Sequence, residues 1–310
     1  MKKEVTNKVR KWNIKLLVIA LISMTWLGLC DPIPVEADSA VGGPKLAVLV
    51  DGRKVKFQGG DPVFENGRVQ VPLRGIGEAL KAEIGFSGKT VTYMKDGKSI
   101  ALTLGSKEAV VNGKNVTMDT AAKAVKGRTY VPLRFVSENL GVPVNWDKVG
   151  NWVWIGSKEV PDITEVASVK KSNLNNDFVK MFGSKTHLID GKKDVRIFTI
   201  DDLPLRIDRF IVYDLWPVMF GDYQSIRIRF DAGLGPIYYL QQGELPRYRN
   251  SADPIKQSDK TIIRTYKTTS EYDQIVNNDI NYKQFNLNKA EYIGFQMGTE
   301  SLTLLKNPFK

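Results

Sequence analysis

The sequence has little of the two side chains that most often bind transition metals. Its 310 residues include one cysteine, Cys30, and one histidine, His187. Zinc and copper sites are built largely from thiolate and imidazole ligands, so one of each cannot supply such a site. A single cysteine also excludes an internal disulfide, and the fold must therefore depend on buried apolar surface. We expect no metal and no other cofactor, and we expect His187 to be a solvated surface residue.

Motifs for common catalytic sites are also missing. The sequence contains no Gly-rich phosphate loop, no Ser/His/Asp order and no Asp-x-Asp-x-Asp-Gly calcium loop. Carboxylate pairs can hydrolyse glycosides, and five aspartates crowd into one stretch: Asp201, Asp202, Asp208, Asp214 and Asp222. Basic residues are interspersed among them, which favours ordinary surface charge. We expect no catalytic residue. The alternative is an exported hydrolase, acting for instance on carbohydrate, with its catalysis in residues 160–310.

The N-terminal segment has the pattern of an export signal. Six basic side chains within the first 15 residues precede an apolar run of 14 residues from Leu16 to Leu29, which is short for a membrane span. Small residues before Asp38 predict a signal peptide over 1–37 that is cleaved after Ala37. Lipidation at Cys30 and an uncleaved anchor are alternatives, although Leu29 is bulky for a lipid-attachment motif. We expect a secreted or cell-envelope protein.

An internal repeat organises the next 120 residues. The segments 67–74 and 127–134 are identical at six of eight positions, at an offset of 60. Two copies are too few for a solenoid and predict a pseudo-symmetric pair with one shared core. The repeated residues are Gly67, Arg68, Val71, Pro72, Leu73, Arg74 and Glu78 in the first copy, and Gly127, Arg128, Val131, Pro132, Leu133, Arg134 and Glu138 in the second.

Each copy predicts the same local structure. Asp51-Gly52 and Asn112-Gly113 are two-residue hairpin turns that require positive φ. The strand that ends in Val-Pro leads into a helix of about two turns, since proline suits the first turn of a helix. Gly141 is placed to end the second helix in a left-handed conformation. The predicted unit is hairpin, strand, short helix, strand.

The repeated pattern resembles the copper amine oxidase N-terminal domain, also called the stalk domain, over residues 44–157. Both copies carry the Gly-Arg…Val-Pro-Leu-Arg…Glu pattern, but Lys81 replaces a glycine and Phe86-Ser87 replaces the Trp-Asp of the second copy. The resemblance implies a non-catalytic appendage on exported, often cell-envelope, proteins of Gram-positive bacteria. It does not imply amine oxidation, because the oxidase site of that family uses three histidines and a modified tyrosine.

The largest excess of basic over acidic residues lies in the repeats. The chain has a formal net charge of +11, and residues 38–157 contain 17 basic and 11 acidic residues. Such an excess can attract anionic polymers. The expected partner is an anionic cell-wall polymer, a polysaccharide or another envelope protein. Nucleic acid is not expected without a dense basic run, and a membrane is expected only through the signal peptide or a lipid on Cys30.

Two tryptophans distinguish the last strand of the second copy. Trp152 and Trp154 alternate with Val153 and Ile155, whereas the first copy has Thr90 and Thr92 at the matching positions. A strand that is apolar on both faces is covered on both faces. We predict that the indoles are buried against the following domain. The alternative is a surface on which a sugar stacks.

The whole chain is predicted to be α+β. A stalk-type domain over 38–157, with a two-repeat antiparallel sheet and short helices, is followed by a linker over 158–172. A second, mostly antiparallel α+β domain over 173–310 resembles no family. The predicted function is an exported, non-catalytic surface or wall protein in which the stalk presents a C-terminal interaction domain.

Overall fold

A computed structural model describes residues 42–58, 60–166, 170–173, 176–295 and 300–310. The predicted signal peptide, its cleavage point and Cys30 lie outside these residues. No helix in the described ranges is long and apolar enough to cross a membrane. The described residues form one compact unit, within which the strands fall into a repeat domain (42–157) and a C-terminal domain (158–310). Most strand pairs are antiparallel and the helices are few and short, as the α+β prediction requires.

The repeat domain contains two short helices, α1 (Leu73–Ala79) and α2 (Leu133–Asn139). Its strands are β1 (Ala47–Val50), β2 (Arg53–Lys54), β3 (Val63–Glu65), β4 (Arg68–Pro72), β5 (Glu83–Ser87), β6 (Thr90–Lys95), β7 (Lys98–Thr103), β8 (Glu108–Val111), β9 (Lys114–Thr117), β10 (Lys123–Val125), β11 (Arg128–Pro132), β12 (Val144–Asp147) and β13 (Trp152–Ile155).

The two copies meet at their repeated strands. Strands β4 and β11 pair antiparallel, with Val71 opposite Val131. Helix α2 packs against β4 of the first copy, and α1 packs against β11 of the second. The burial classes of residues 67–84 recur at each position of 127–144. One apolar cluster contains residues of both copies, which confirms the shared core.

The predicted two-repeat antiparallel sheet is present as one of three sheets, the one in which β4 and β11 pair. The strands form three sheets, in the orders β12-β13-β1-β2, β10-β11-β4-β3 and β5-β6-β7-β8-β9. In addition, β1 and β13 pair in parallel. Turn chemistry determines the pairing of strands that are adjacent in sequence, but a parallel pair needs a long connection. Here almost the whole domain supplies that connection.

The turns and the end of α2 have the backbone conformations that the sequence predicts. Asp51 and Gly52 have φ of 46° and 78°, and Asn112 and Gly113 have 49° and 78°. A Cβ on Gly52 would lie 1.9 Å from the carbonyl oxygen of Glu159, so glycine is required there for space as well as for φ. Gly141 ends α2 with φ of 84°, and Lys81 adopts φ of 57° at the equivalent end of α1.

Where it is described, the C-terminal domain contains helices α3 (Asn176–Lys180) and α4 (Tyr272–Asn277), and five 3₁₀ helices: Ile163–Glu165, Thr186–Leu188, Ile200–Asp202, Tyr282–Gln284 and Leu287–Lys289. Its strands are β14 (Lys170–Asn173), β15 (Asp194–Phe198), β16 (Leu205–Ile207), β17 (Phe210–Phe220), β18 (Tyr223–Phe230), β19 (Ile237–Leu240), β20 (Arg247–Arg249), β21 (Ile255–Lys256), β22 (Ile262–Lys267), β23 (Tyr292–Phe295) and β24 (Ser301–Lys306).

Two sheets share the main core of this domain. Their orders are β14-β15-β24-β23-β19-β20 and β16-β17-β18-β22-β21, and residues of both line one apolar cluster. A turn at Asp208, whose φ is 58°, separates β16 from β17. The predicted linker is not an open connection where it is described. Val160 and Ile163 are both buried, because each has an apolar cluster of the compact unit to pack against.

Candidate functional site

Trp152 and Trp154 lie buried between the two domains. Their side chains are 0% and 4% exposed and pack with Leu49, Val160 and Ile211, the last from β17 of the C-terminal domain. The alternating residues Val153 and Ile155 face the core of the repeat domain. The structure therefore places the indoles in an internal junction and does not display them to solvent.

Arg229 joins the domains at the same junction. Its side chain is 2% exposed, and Nη1 donates to Oδ2 of Asp147 at 2.7 Å. Nε donates to Thr261 Oγ1 at 3.0 Å, and Nη2 pairs with Asp259. Although burial raises the pKa of Asp259, hydrogen bonds from Thr261 and the charge of Arg229 outweigh it and hold that pKa below its usual value. The guanidinium thus reaches a carboxylate of each domain.

A second ion pair crosses the junction beside the indole of Trp152. Lys54 Nζ lies 5.0 Å from the ring centroid of Trp152 and 3.5 Å from Oδ1 of Asp214. It also donates to the carbonyl oxygen of Ile200 at 3.2 Å. Burial raises the pKa of the Asp214 carboxyl, and the charge of Lys54 opposes this rise. One of the five clustered aspartates therefore serves the domain contact.

The other four aspartates have separate local surroundings. Asp202 accepts hydrogen bonds from the backbone and hydroxyl of Thr199, and Asp201 lies 3.9 Å from Lys56 on the surface. Asp208 and Asp222 are in turns. Across the described residues, no group of three or more His, Cys, Asp or Glu could hold a metal ion. The side chain of His187 is exposed, as predicted.

A groove of about 550 Å³ lies on the repeat domain, and neither Trp152 nor Trp154 lines it. Its walls come from both copies: the β3–β4 hairpin of the first copy, and α2, β12 and the segment after β9 of the second. The aromatic, charged and amide side chains of the lining are Phe64, Arg68, Asp119, Arg134, Phe135, Glu138, Asn139 and Trp146.

Two exposed aromatic rings line the groove. Phe64 and Trp146 stack with ring centroids 5.9 Å apart and planes at 22°, yet their side chains remain 59% and 40% exposed. The matching positions across the pseudo-twofold axis are Ala124 and Phe86. Alanine offers no ring, so the equivalent aromatic pair cannot form there.

The helices also differ on the two sides. Helix α2 presents Phe135 to the groove. Its equivalent in α1 is Gly75, and the ring of Phe57 lies against it, 2.6 Å from where a Cβ would be. The two repeats therefore share a backbone pattern but present different surfaces.

The charges at the groove rim are balanced. Arg68 Nη2 lies 2.6 Å from Asp119, and Arg134 Nε lies 3.7 Å from Glu138. All four side chains are largely exposed. Asn139 donates a hydrogen bond through Nδ2 to the backbone oxygen of Phe135 at 2.8 Å.

The repeated motif residues have structural positions on both sides of the axis. Gly67 and Gly127 have φ of 73° and 74° in hairpin turns. Arg68 reaches Asp119 of the second copy, and Arg128 reaches the backbone oxygen of Gln58 in the first at 3.2 Å. The remaining motif residues divide by burial: Val71, Pro72, Leu73, Val131, Pro132 and Leu133 are buried, whereas Arg74, Glu78, Arg134 and Glu138 are exposed.

The sequence did not predict the roles of Phe64, Asp147 or Arg229. Asp147 and Arg229 are 82 residues apart, and no local pattern links them. The one available signal was the Trp146-Asp147 pair, which the first copy lacks: its indole lines the groove and its carboxylate binds the junction arginine.

Comparison with known proteins identifies one segment of the chain. No curated protein sequence matches it, and nothing is recognised for the C-terminal domain. Residues 49–155, which contain the groove and the repeat-domain side of the junction, match the family model of the copper amine oxidase N-terminal domain.

Proposed function

We propose that this chain is an exported, non-catalytic protein of the cell surface or wall, in which a stalk-type domain holds a C-terminal interaction domain in a fixed position. The observation that carries the proposal is the buried junction. Two indoles, each able to bury on the order of 200 Å², and the buried ion pair between Arg229 and Asp147 join the family-matched segment to the C-terminal domain. An interface of this kind opposes free domain motion.

The N-terminal sequence supports export. A basic segment followed by a mostly apolar run of 14 residues is the pattern that secretion machinery recognises. Outside the cell, the basic excess of residues 38–157 would favour contact with anionic wall polymers, and a polysaccharide or another envelope protein is the other class of partner.

The surroundings of the five clustered aspartates support a non-catalytic role. A glycoside hydrolase needs two carboxyl groups that face each other across one cleft. Here Asp214 contacts Lys54 in the junction, Asp202 caps a 3₁₀ helix, and Asp208 lies in a turn.

The test is the location and the N-terminus of the protein. We expect expression in a Gram-positive host to give protein in the medium or wall fraction that begins at Asp38 by mass spectrometry. A matched variant, Ile19→Asp with Ile22→Asp, interrupts the apolar run and should remain in the cytosol. Lipid on Cys30 would place the protein on the membrane instead. An intact Met1 chain confined to the cytosol would contradict the proposal.

A further inference from the structure

We propose that the groove formed by Phe64, Trp146 and helix α2 binds a neutral polysaccharide, with the free face of a ring in the stacked pair packing on the face of a sugar. The inference deepens the proposed function, because it rests on export for access to a polysaccharide and names the class of partner. The binding event itself depends only on the repeat domain.

The stacked pair of Phe64 and Trp146 leaves apolar ring surface exposed. Contiguous exposed apolar surface on a soluble protein is typical of a binding site. In a stacked pair each ring keeps one face away from its partner, and the C–H groups on one face of a pyranose ring form a flat apolar patch of similar size. The cavity volume of about 550 Å³ is within the range of ligand sites, about 300–1,000 Å³.

The paired charges at the groove rim favour a neutral polymer. Each guanidinium at the rim has a carboxylate partner, Asp119 for Arg68 and Glu138 for Arg134. An anionic polymer would meet both carboxylates and would have to compete with them for the arginines. Sugar hydroxyls both donate and accept hydrogen bonds, so they can bind such pairs without separating them.

The asymmetry of the repeats supplies a matched control. Phe86 occupies the position equivalent to Trp146, is 58% exposed, and is not part of the groove lining. Replacing Phe86 removes a similar exposed ring from the same fold. A binding loss that follows Trp146 and Phe64 but not Phe86 therefore reports on the groove and not on exposed aromatics in general.

The experiment measures co-sedimentation of the full chain with insoluble cellulose and insoluble chitin at high ionic strength, which screens the net positive charge. We expect wild type to bind at least one of them. Trp146→Ala and Phe64→Ala should each weaken binding about tenfold or more, as loss of a central aromatic anchor does. Trp146→Phe should retain part of the affinity, and Phe86→Ala should bind as wild type. Thermal unfolding followed by circular dichroism confirms that each variant is folded.

Three outcomes would overturn the proposal. The first is wild type that binds neither polysaccharide. The second is binding that Phe64→Ala and Trp146→Ala leave unchanged. The third is binding at high ionic strength to polygalacturonate alone, lost in Trp146→Ala, which would make the ligand an anionic polymer. A protein that binds chitin through the groove but stays in the cytosol would contradict only the proposed function.

Discussion

Val71 and Val131 lie directly opposite each other in the antiparallel pair of β4 and β11. They are equivalent residues of the two repeats, so the pseudo-twofold axis of the domain passes between them. Both side chains are fully buried. Each repeat therefore completes the sheet and the core of the other.

Mutation at the axis should show this dependence. Val71→Ala and Val131→Ala should each lower the free energy of unfolding by about 2 kcal/mol, since both remove fully buried methyl groups. The double variant should cost less than the sum, because the two deletions share one cavity. Urea unfolding measures all three, with Val110→Ala, at a half-exposed strand position, as control. Strict additivity would indicate that the two sites are independent.

An isolated first repeat should not fold. A fragment of residues 38–100 lacks β11, which pairs with β4, and lacks Asp119, the partner of Arg68. Too little apolar surface remains to offset the loss of chain entropy. We expect its circular dichroism to change gradually on heating, whereas the full chain should unfold cooperatively. A sharp transition in the fragment would show that one repeat is sufficient.

The local elements could be predicted from the sequence because their causes are local. The Asp51-Gly52 and Asn112-Gly113 turns, the Val-Pro entry into each helix and the end of α2 at Gly141 depend on the φ preferences of a few residues. The parallel pairing of β1 with β13 could not be predicted, because it joins the two ends of the repeat domain. The Phe64–Trp146 groove could not be predicted either, because its lining residues are distant from one another in the sequence.

The two helix ends provide a reciprocal test of backbone strain. Lys81 has φ of 57°, which costs a residue with a Cβ more than it costs glycine. Lys81→Gly should therefore stabilise the protein by about 0.5–1 kcal/mol. Gly141→Ala, at φ of 84°, should destabilise it by about 1 kcal/mol or more. Thermal and urea unfolding give both values. A loss of stability in Lys81→Gly would mean that the lysine side chain contributes more than the strain costs.

The buried ion pair of Arg229 should contribute far more to the free energy of unfolding than a surface ion pair between the same two domains. Arg229→Leu leaves Asp147 in the junction without its cation and should cost about 3 kcal/mol or more. The control is Arg53→Leu, which removes a pair with Glu165 at 3.9 Å between side chains that are 56% and 62% exposed. That change should cost less than about 1 kcal/mol. Equal effects in urea unfolding would show that the buried pair of Arg229 contributes no more to stability than the exposed pair of Arg53.

Burial of the indoles predicts a spectroscopic change when the domains are separated. Trp152 and Trp154 pack against Val160 and Ile211, both outside the repeat domain. In a fragment of residues 38–157, we expect tryptophan fluorescence to shift to longer wavelength and to be quenched faster by iodide than in the full chain. The Trp152→Thr, Trp154→Thr variant of the fragment should lose that quenchable component. Identical spectra of fragment and full chain would contradict burial by the C-terminal domain.

The pH dependence of stability at Asp214 tests whether burial or the ion pair with Lys54 has the larger effect on the pKa of this carboxyl. Burial is the larger effect, so the pKa of Asp214 lies above its ordinary value of 3.8 despite the charge of Lys54. A carboxyl with a raised folded pKa binds more protons in the folded state. Its stabilising contribution is complete below the unfolded pKa and is lost as the pH rises through the folded pKa. Wild type should therefore lose stability relative to Asp214→Asn as the pH rises above 3.8.

Urea unfolding of both proteins over a pH series measures that difference. Asp201→Asn is the control, because Asp201 belongs to the same acidic stretch but pairs with Lys56 at 3.9 Å between exposed side chains. The ion pair at Asp201 should contribute little to the free energy of unfolding at any pH. If wild type instead gained stability relative to Asp214→Asn as the pH rose, the attraction of Lys54 would outweigh the cost of burying the carboxylate. The Lys54–Asp214 contact would then be a net source of domain docking energy and not a polar pair tolerated inside an apolar junction.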